Sequence, residues 1–262
     1  VRFAPAHRGG AGPPLLLLHG FTDTWRTWEP VLARLEARFD VLAPTLAGHA
    51  GGPRFPPSGA SDEAIVDAVE ATLDEAGWEA PAIAGNSLGG FVALRLAERG
   101  RARSVVALAP AGGWAPDDPA ATEVLRYFRA MSTMVQDAAP RAAEIAATEE
   151  GRARATVAYA STADHMSADL VAHMIRGAAA CDAKPLIAFA GREGWRLAPD
   201  RTTCPLRFLW GTDDKILPLP GAATRFRTDY PQAEWIEIDG AGHCPQLDHP
   251  TETAELIAEF AG

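Results

Sequence analysis

The sequence predicts an α/β protein, a mostly parallel, doubly wound sheet with an inserted helical lid. Three observations predict it. Short runs of Leu, Val, Ile and Ala bounded by Gly and Pro alternate with longer stretches of helical period. Those runs show little polar–apolar alternation, as strands buried on both faces do. The alternation then lapses between residues 115 and 203 and resumes afterwards. A stretch of roughly 90 residues is too long for a loop.

The first strand is 14–19, four leucines in a row closed by His19-Gly20. A helix follows at 29–38, then a strand at 40–44, and a Gly/Pro-rich surface loop over 48–59. Ser61-Asp62-Glu63-Ala64 opens a helix over 61–76, its acidic first turn suiting the positive helix end. Strand 81–85 leads into helix 88–99, and strand 104–109 completes the first half. Helical patterns at 120–137, 141–160, 167–180 and 185–191 fill the middle segment. Strands 205–210 and 234–238 then alternate with helices 221–229 and 250–260. Strict alternation implies parallel strands with helices on both faces. Residues 1–114 and 204–262 are thus expected to form the core, with 115–203 as a lid over the carboxyl edge of the sheet, where open α/β sheets bind ligands.

Composition narrows the function. The chain has 262 residues, 47% apolar and 22% charged, with 24 basic against 34 acidic side chains and a net charge of −10. That is the profile of a globular protein without the basic face that nucleic acid requires. Cys181, Cys204 and Cys244 form no Cys-x-x-Cys pair, so no thiolate metal site is expected, and an odd count fits a reducing compartment. The longest purely aliphatic run, residues 15–18, is far short of a membrane span, and the first residues lack a signal-peptide core. A cytoplasmic protein acting on a small-molecule substrate, with neither membrane nor nucleic-acid partner, is the expectation.

Gly85-Asn86-Ser87-Leu88-Gly89-Gly90 falls where strand 81–85 gives way to helix 88–99. A serine on that sharp turn is pushed out of the sheet edge at the positive end of a helix, and its neighbours two residues away must be nearly absent. A neutral hydroxyl needs a base within hydrogen-bond reach. Of seven histidines, His243 in Gly242-His243-Cys244-Pro245 follows the last strand and opens at the same edge as Ser87. His19, ending a strand before Gly20, more naturally shapes that turn. The base in turn needs a carboxylate to fix its tautomer. Asp213 and Asp214, after strand 205–210, both qualify, and the pattern alone does not separate them. Oxyanion donors are expected from the backbone N–H of Leu88, at the helix start, and of Phe21, after His19-Gly20.

Ser87, an Asp and His243 in that chain order, with the His19-Gly20-Phe21 turn, resemble the α/β-hydrolase superfamily over essentially the whole chain. The resemblance implies a Ser-His-Asp triad without metal or organic cofactor. It selects Asp214, three residues after Gly211 and four before Pro218. Two segments depart from the pattern: Thr45-Leu46-Ala47-Gly48-His49-Ala50 has Thr where relatives commonly carry Asp, and the short stretch before Pro13 reduces the antiparallel strands often found at the start in relatives to one expected at 2–5.

The chemistry expected is hydrolysis of a carboxylic ester of small to medium apolar character through an acyl-enzyme on Ser87. Asn86 resembles the residue before the nucleophile in hydrolases that cleave carbon–carbon bonds of ring-fission products, and Arg192 and Arg196 could hold a substrate carboxylate for that reaction. Phe21-Thr22-Asp23-Thr24-Trp25 lacks those relatives' Gly-Pro-Gly stretch. A non-catalytic ligand-binding protein on the same fold is the other class. Substrate contacts are expected from Trp25, Trp114, Phe128 and Met131, with Phe128, Met131 and Met134 recurring along one lid helix. Cys244 is read as a small buried filler.

Overall fold

In the computed structural model, residues 2–56, 59–115 and 118–262 are described. Pro57 and Ser58 of the Gly/Pro-rich loop, and Pro116 and Asp117 at the start of the middle segment, lie outside them. Seven strands form one sheet: β1 (Ala6–Gly9), β2 (Pro14–Leu18), β3 (Asp40–Pro44), β4 (Ala82–Asn86), β5 (Ser104–Leu108), β6 (Leu206–Gly211) and β7 (Glu234–Ile238), in the spatial order β1-β3-β2-β4-β5-β6-β7. Only β1 is antiparallel; every other pairing is parallel. The order reverses direction beside β2, the topological switch at which such sheets bind ligands.

The weak polar alternation of the strands has a direct cause: each feeds two apolar cores. Leu16 and Leu18 of β2 point into one core with Val105, Ala107, Phe208 and Trp210. Leu15 and Leu17 point into the other with Val106, Leu108 and Leu209. Helices α1 (Glu29–Glu36) and α11 (Pro250–Ala261) close the second core; α2 (Asp62–Ala76) and α3 (Leu88–Glu98) close the first. Ser61 caps α2 through its side chain, which accepts from Ala64 N–H, as its sequence implied. On the outer side of α3, Arg95 and Arg99 pair with Asp62, Glu63, Asp67 and Glu70 of α2.

Between β5 and β6 the chain is helical: α4 (Pro119–Ala138), α5 (Ala142–Ala147), α6 (Glu149–Thr156), α7 (Ala168–Ala179) and α8 (Lys184–Glu193). Short helices α9 (Thr224–Asp229) and α10 (Pro245–Asp248) complete the set. Two expectations are corrected. The first strand runs over Ala6–Gly9 and not 2–5, because Pro5 has no N–H to pair; its carbonyl accepts from Thr45 and the ladder starts one residue later. The helix expected over 141–160 breaks at Thr148, which is extended (φ −105°, ψ 150°) and whose hydroxyl caps α6 by accepting from Gly151 N–H at 3.0 Å. No helix among the described residues is long and apolar enough to cross a membrane.

Candidate active site

Ser87 stands between the end of β4 and the start of α3 with φ 54° and ψ −114°. A left-handed conformation at a residue with a Cβ costs about 1–3 kcal/mol and persists only where its surroundings enforce it. Here Ser87 N–H donates to the Leu108 carbonyl at 2.9 Å, while its own carbonyl accepts from Phe91 and Ala111 N–H at 3.0 and 3.1 Å. The two flanking glycines are steric necessities: a Cβ on Gly85 would lie 2.3 Å from the Gly89 carbonyl oxygen, and one on Gly89 would lie 2.2 Å from that of Leu18.

The next two expected groups meet. Asp214 and His243, 29 residues apart, share a hydrogen bond of 2.8 Å between Nδ1 and Oδ2. The other Asp214 oxygen accepts from the N–H groups of Ile216 and Leu217, both at 2.8 Å. Both side chains are buried. Asp213 is exposed, so the ambiguity of the adjacent pair is resolved by which carboxylate faces the imidazole. An ionised Asp214 accepts only, so Nδ1 carries the proton and Nε2 is the ring's free acceptor. The Asp214 contact is the one side-chain hydrogen bond of His243 among the described residues. Catalytic hydrogen bonds often tighten only when substrate arrives.

Several neighbours fix this geometry in roles that the sequence did not disclose. Buried Asn86 donates to the carbonyls of Leu108 (3.2 Å) and His243 (2.9 Å), tying the serine turn to the histidine loop. Its oxygen accepts from Cys244 Sγ at 3.2 Å and from Gln246 Nε2 at 3.4 Å. Burial, then the nearby carboxylates of Asp23 and Asp214, push the Cys244 thiol well up, so it acts as a neutral donor and is more than a filler. Buried Asp248 accepts from Gly242, Ser161 and Thr162 N–H, at 2.7, 3.0 and 2.9 Å, and so joins the histidine loop to the helical insertion. No short-range pattern discloses these bonds, because all but the Gly242–Asp248 one join residues more than twenty positions apart.

The turn after β2 has its own support. His19 is fully buried, its Nδ1 bonding the Gly20 carbonyl at 2.7 Å while Leu46 N–H donates to its Nε2 at 2.8 Å. Those partners require the neutral ring, and burial followed by the proximity of His49 lowers its pKa well below the usual histidine value. The N–H groups of Phe21 and Leu88 make no backbone hydrogen bond among the described residues.

A cavity of about 40 Å³ is lined by Ser87, Phe21, Leu88, Trp114, Phe128 and Leu217, among others. Phe21 and Phe128 meet edge to face at 5.1 Å on its border. Met131 lies in the two neighbouring cavities, of about 210 and 830 Å³. Trp25 borders none of the three; it stacks on His7 at 5.1 Å and packs on the core of α1 and α11. Arg192 and Arg196 are exposed and also border none, so no carboxylate clamp forms there. Thr45, at the departing position, accepts from Trp25 N–H at 3.4 Å and makes no hydrogen bond to Ser87, Asp214 or His243 among the described residues.

The profile of the alpha/beta hydrolase family matches residues 15–256, which spans every element from β2 into α11. The chain belongs to this family. Among similar proteins is the epoxide hydrolase EphH of Mycobacterium tuberculosis, 33% identical over 76% of this chain and 94% of that protein. Another is a pimeloyl–acyl-carrier-protein methyl ester esterase of Aromatoleum aromaticum, 32% identical over 94% and 97%. A thermophilic esterase from Thermogutta terrifontis has the same fold, with a TM-score of 0.72 at 23% identity over 97% of this chain and 91% of that one. The chain is therefore a hydrolase of the α/β fold.

Proposed function

We propose that this hydrolase cleaves carboxylic esters through an acyl-enzyme on Ser87. The observation that carries the reading is the buried Asp214–His243 contact at the sheet edge where Ser87 is held in a strained turn. In this reading His243 Nε2 takes the Ser87 proton as Oγ bonds to the acyl carbon. The tetrahedral oxygen is received by Phe21 and Leu88 N–H. His243 then gives its proton to the departing alkoxide as the carbon–oxygen bond breaks. Water, deprotonated by the same nitrogen, replaces Ser87 and releases the acid. No step calls for a metal or organic cofactor. The helices of 115–203 serve as the lid over this site, on the core of 1–114 and 204–262.

The name of the mycobacterial relative raises epoxide opening as a second chemistry. Attack by Ser87 on an epoxide carbon would leave an alkyl ether on the enzyme, which water activated by His243 does not cleave. An ester intermediate does turn over, so the serine favours acyl transfer. Carbon–carbon cleavage loses the carboxylate clamp expected of Arg192 and Arg196, which are out in solvent, and keeps only the resemblance at Asn86.

The test is turnover of p-nitrophenyl acetate, butyrate and octanoate by wild type and Ser87→Ala. Loss of kcat on the order of 10⁶ is expected for the variant, as when a triad nucleophile is removed elsewhere. A folded wild type that cleaves none of these esters would overturn the reading in favour of ligand binding or another bond.

A further inference from the structure

The space around Ser87 is unequal. Ser87 itself lines the 40 Å³ cavity, closed in by Trp114, Phe128 and Leu217. At about 10–15 Å³ for each water-sized group, that space takes about three such groups, an acetyl or propionyl chain. Beyond the Phe21–Phe128 pair, a cavity of about 830 Å³ runs between α4, α5, α6 and α7. That is the size of a whole ligand site. Thr22, Asp23 and Tyr159 line it together with Met131, Ile145 and Ile175, and Arg141, Glu144 and Arg154 add charge to its wall.

The outer end carries a second, independent signal. Three large apolar side chains are exposed among the described residues: Tyr127, Met134 and Val157, at 37, 66 and 53%. All three border this one cavity. Exposed apolar groups gathered at a single mouth mark a route for an apolar ligand.

The two spaces share no lining residue, and only the smaller one is lined by Ser87. The acyl group stays on Ser87 after the first step, so it belongs in the cavity that Ser87 lines. The leaving group departs beside His243, which must protonate it. Tyr159, on the wall of the large cavity, accepts from Cys244 N–H at 2.7 Å, directly after His243 in the chain. From these placements we infer that the substrates are esters of a short acid with a large, mainly apolar alcohol, the alcohol filling the lid cavity and leaving past Met134 and Val157.

This inference rests on the serine-hydrolase reading, and an isomeric pair separates the two. Octyl acetate and methyl nonanoate have the same formula, similar hydrophobicity and leaving groups of similar basicity; only the sides of the ester are exchanged. Octyl acetate is expected to have the higher kcat/KM by at least about tenfold, since each buried methylene contributes about 0.8 kcal/mol where it fits and crowds where it does not. Met134→Asp, at an exposed position that tolerates charge, should raise KM for octyl acetate and lower its kcat/KM relative to methyl acetate. Equal or faster cleavage of methyl nonanoate, lost in Ser87→Ala, would overturn the inference and leave the serine chemistry standing. An unchanged ratio in Met134→Asp would overturn the route. Turnover of both esters that survives Ser87→Ala, or no turnover of either, would overturn the serine reading and this inference with it.

Discussion

Replacing Asp214 by Asn tests how the site holds its base. The carboxylate has three hydrogen bonds: two from Ile216 and Leu217 N–H to one oxygen, and one from His243 Nδ1 to the other. In Asp214→Asn the amide oxygen must keep the two backbone donors, which are buried and would otherwise go unpaired at about 1–3 kcal/mol each. The NH₂ then faces His243. Two donors cannot meet, so the imidazole gives up its Nδ1 proton and carries it on Nε2 instead. In that tautomer the ring nitrogen meant for Ser87 is already protonated. The expected loss is about 10⁴ in kcat, near 5.5 kcal/mol, with a folded protein and little change in melting temperature. Asp213→Asn, with its side chain exposed, should stay within about twofold of wild type. Steady-state cleavage of p-nitrophenyl acetate by both variants, with circular dichroism as the folding control, decides the matter. A damaging Asp213→Asn, or an Asp214→Asn within tenfold of wild type, would refute the reasoning.

Three further outcomes follow from the same geometry. Gly89→Ala would put a Cβ 2.2 Å from the Leu18 carbonyl oxygen and 2.7 Å from that of His19, so it should cost about 1–3 kcal/mol or more and disable the serine turn; Gly221→Ala, with open space around it, should be nearly silent in the same thermal melts. His19→Ala would strand Leu46 N–H and leave the Gly20 carbonyl only its long contact from Asp23 N–H at 3.4 Å, and should lower both urea midpoint and kcat, the latter because Phe21 follows Gly20; unchanged kcat with lowered stability would remove His19 from the support of the proposed oxyanion turn. Asp23 is raised from 3.8 to about 6 by burial, against opposing hydrogen bonds from Thr24 and Thr27. Its protonated form therefore favours the fold: that stability is complete below pH 3.8 and lost as pH climbs to about 6. Asp23→Asn, neutral throughout, should gain about 2–3 kcal/mol over wild type between pH 4 and pH 7 in urea titrations, and a flat difference would contradict the assignment.

Much of the fold was legible because its signals are local. Strands 40–44 and 234–238 were found to the residue, since Gly, Pro and charged residues bound short β-rich runs. The serine turn was legible for the same reason: its glycines, its strand and its helix are contiguous in sequence. The break at Thr148 was missed because an N-cap inside an Ala/Glu/Arg-rich run is drowned by strong helix formers on both sides. Trp25, aromatic and near Phe21 in sequence, reads as a substrate contact, yet the single helical turn of 25–28 carries it round to stack on His7. The choice between Asp213 and Asp214 needed three dimensions, or a family pattern, because neighbouring residues differ only in direction. Asn86 stood out only for its place before Ser87, and its ties to Leu108 and His243, like Asp248 and Tyr159 altogether, went unread because each acts through partners that the folded chain brings near.

The most direct measurement is to trap the acyl-enzyme. Wild type mixed with excess p-nitrophenyl acetate and quenched in acid should carry one acetyl group on the peptide containing Ser87, with a matching burst of p-nitrophenol, and His243→Ala should show neither. An acetyl group on another residue, or full turnover without any adduct or burst under conditions where deacylation is slowed, would contradict the assignment of Ser87 as the nucleophile.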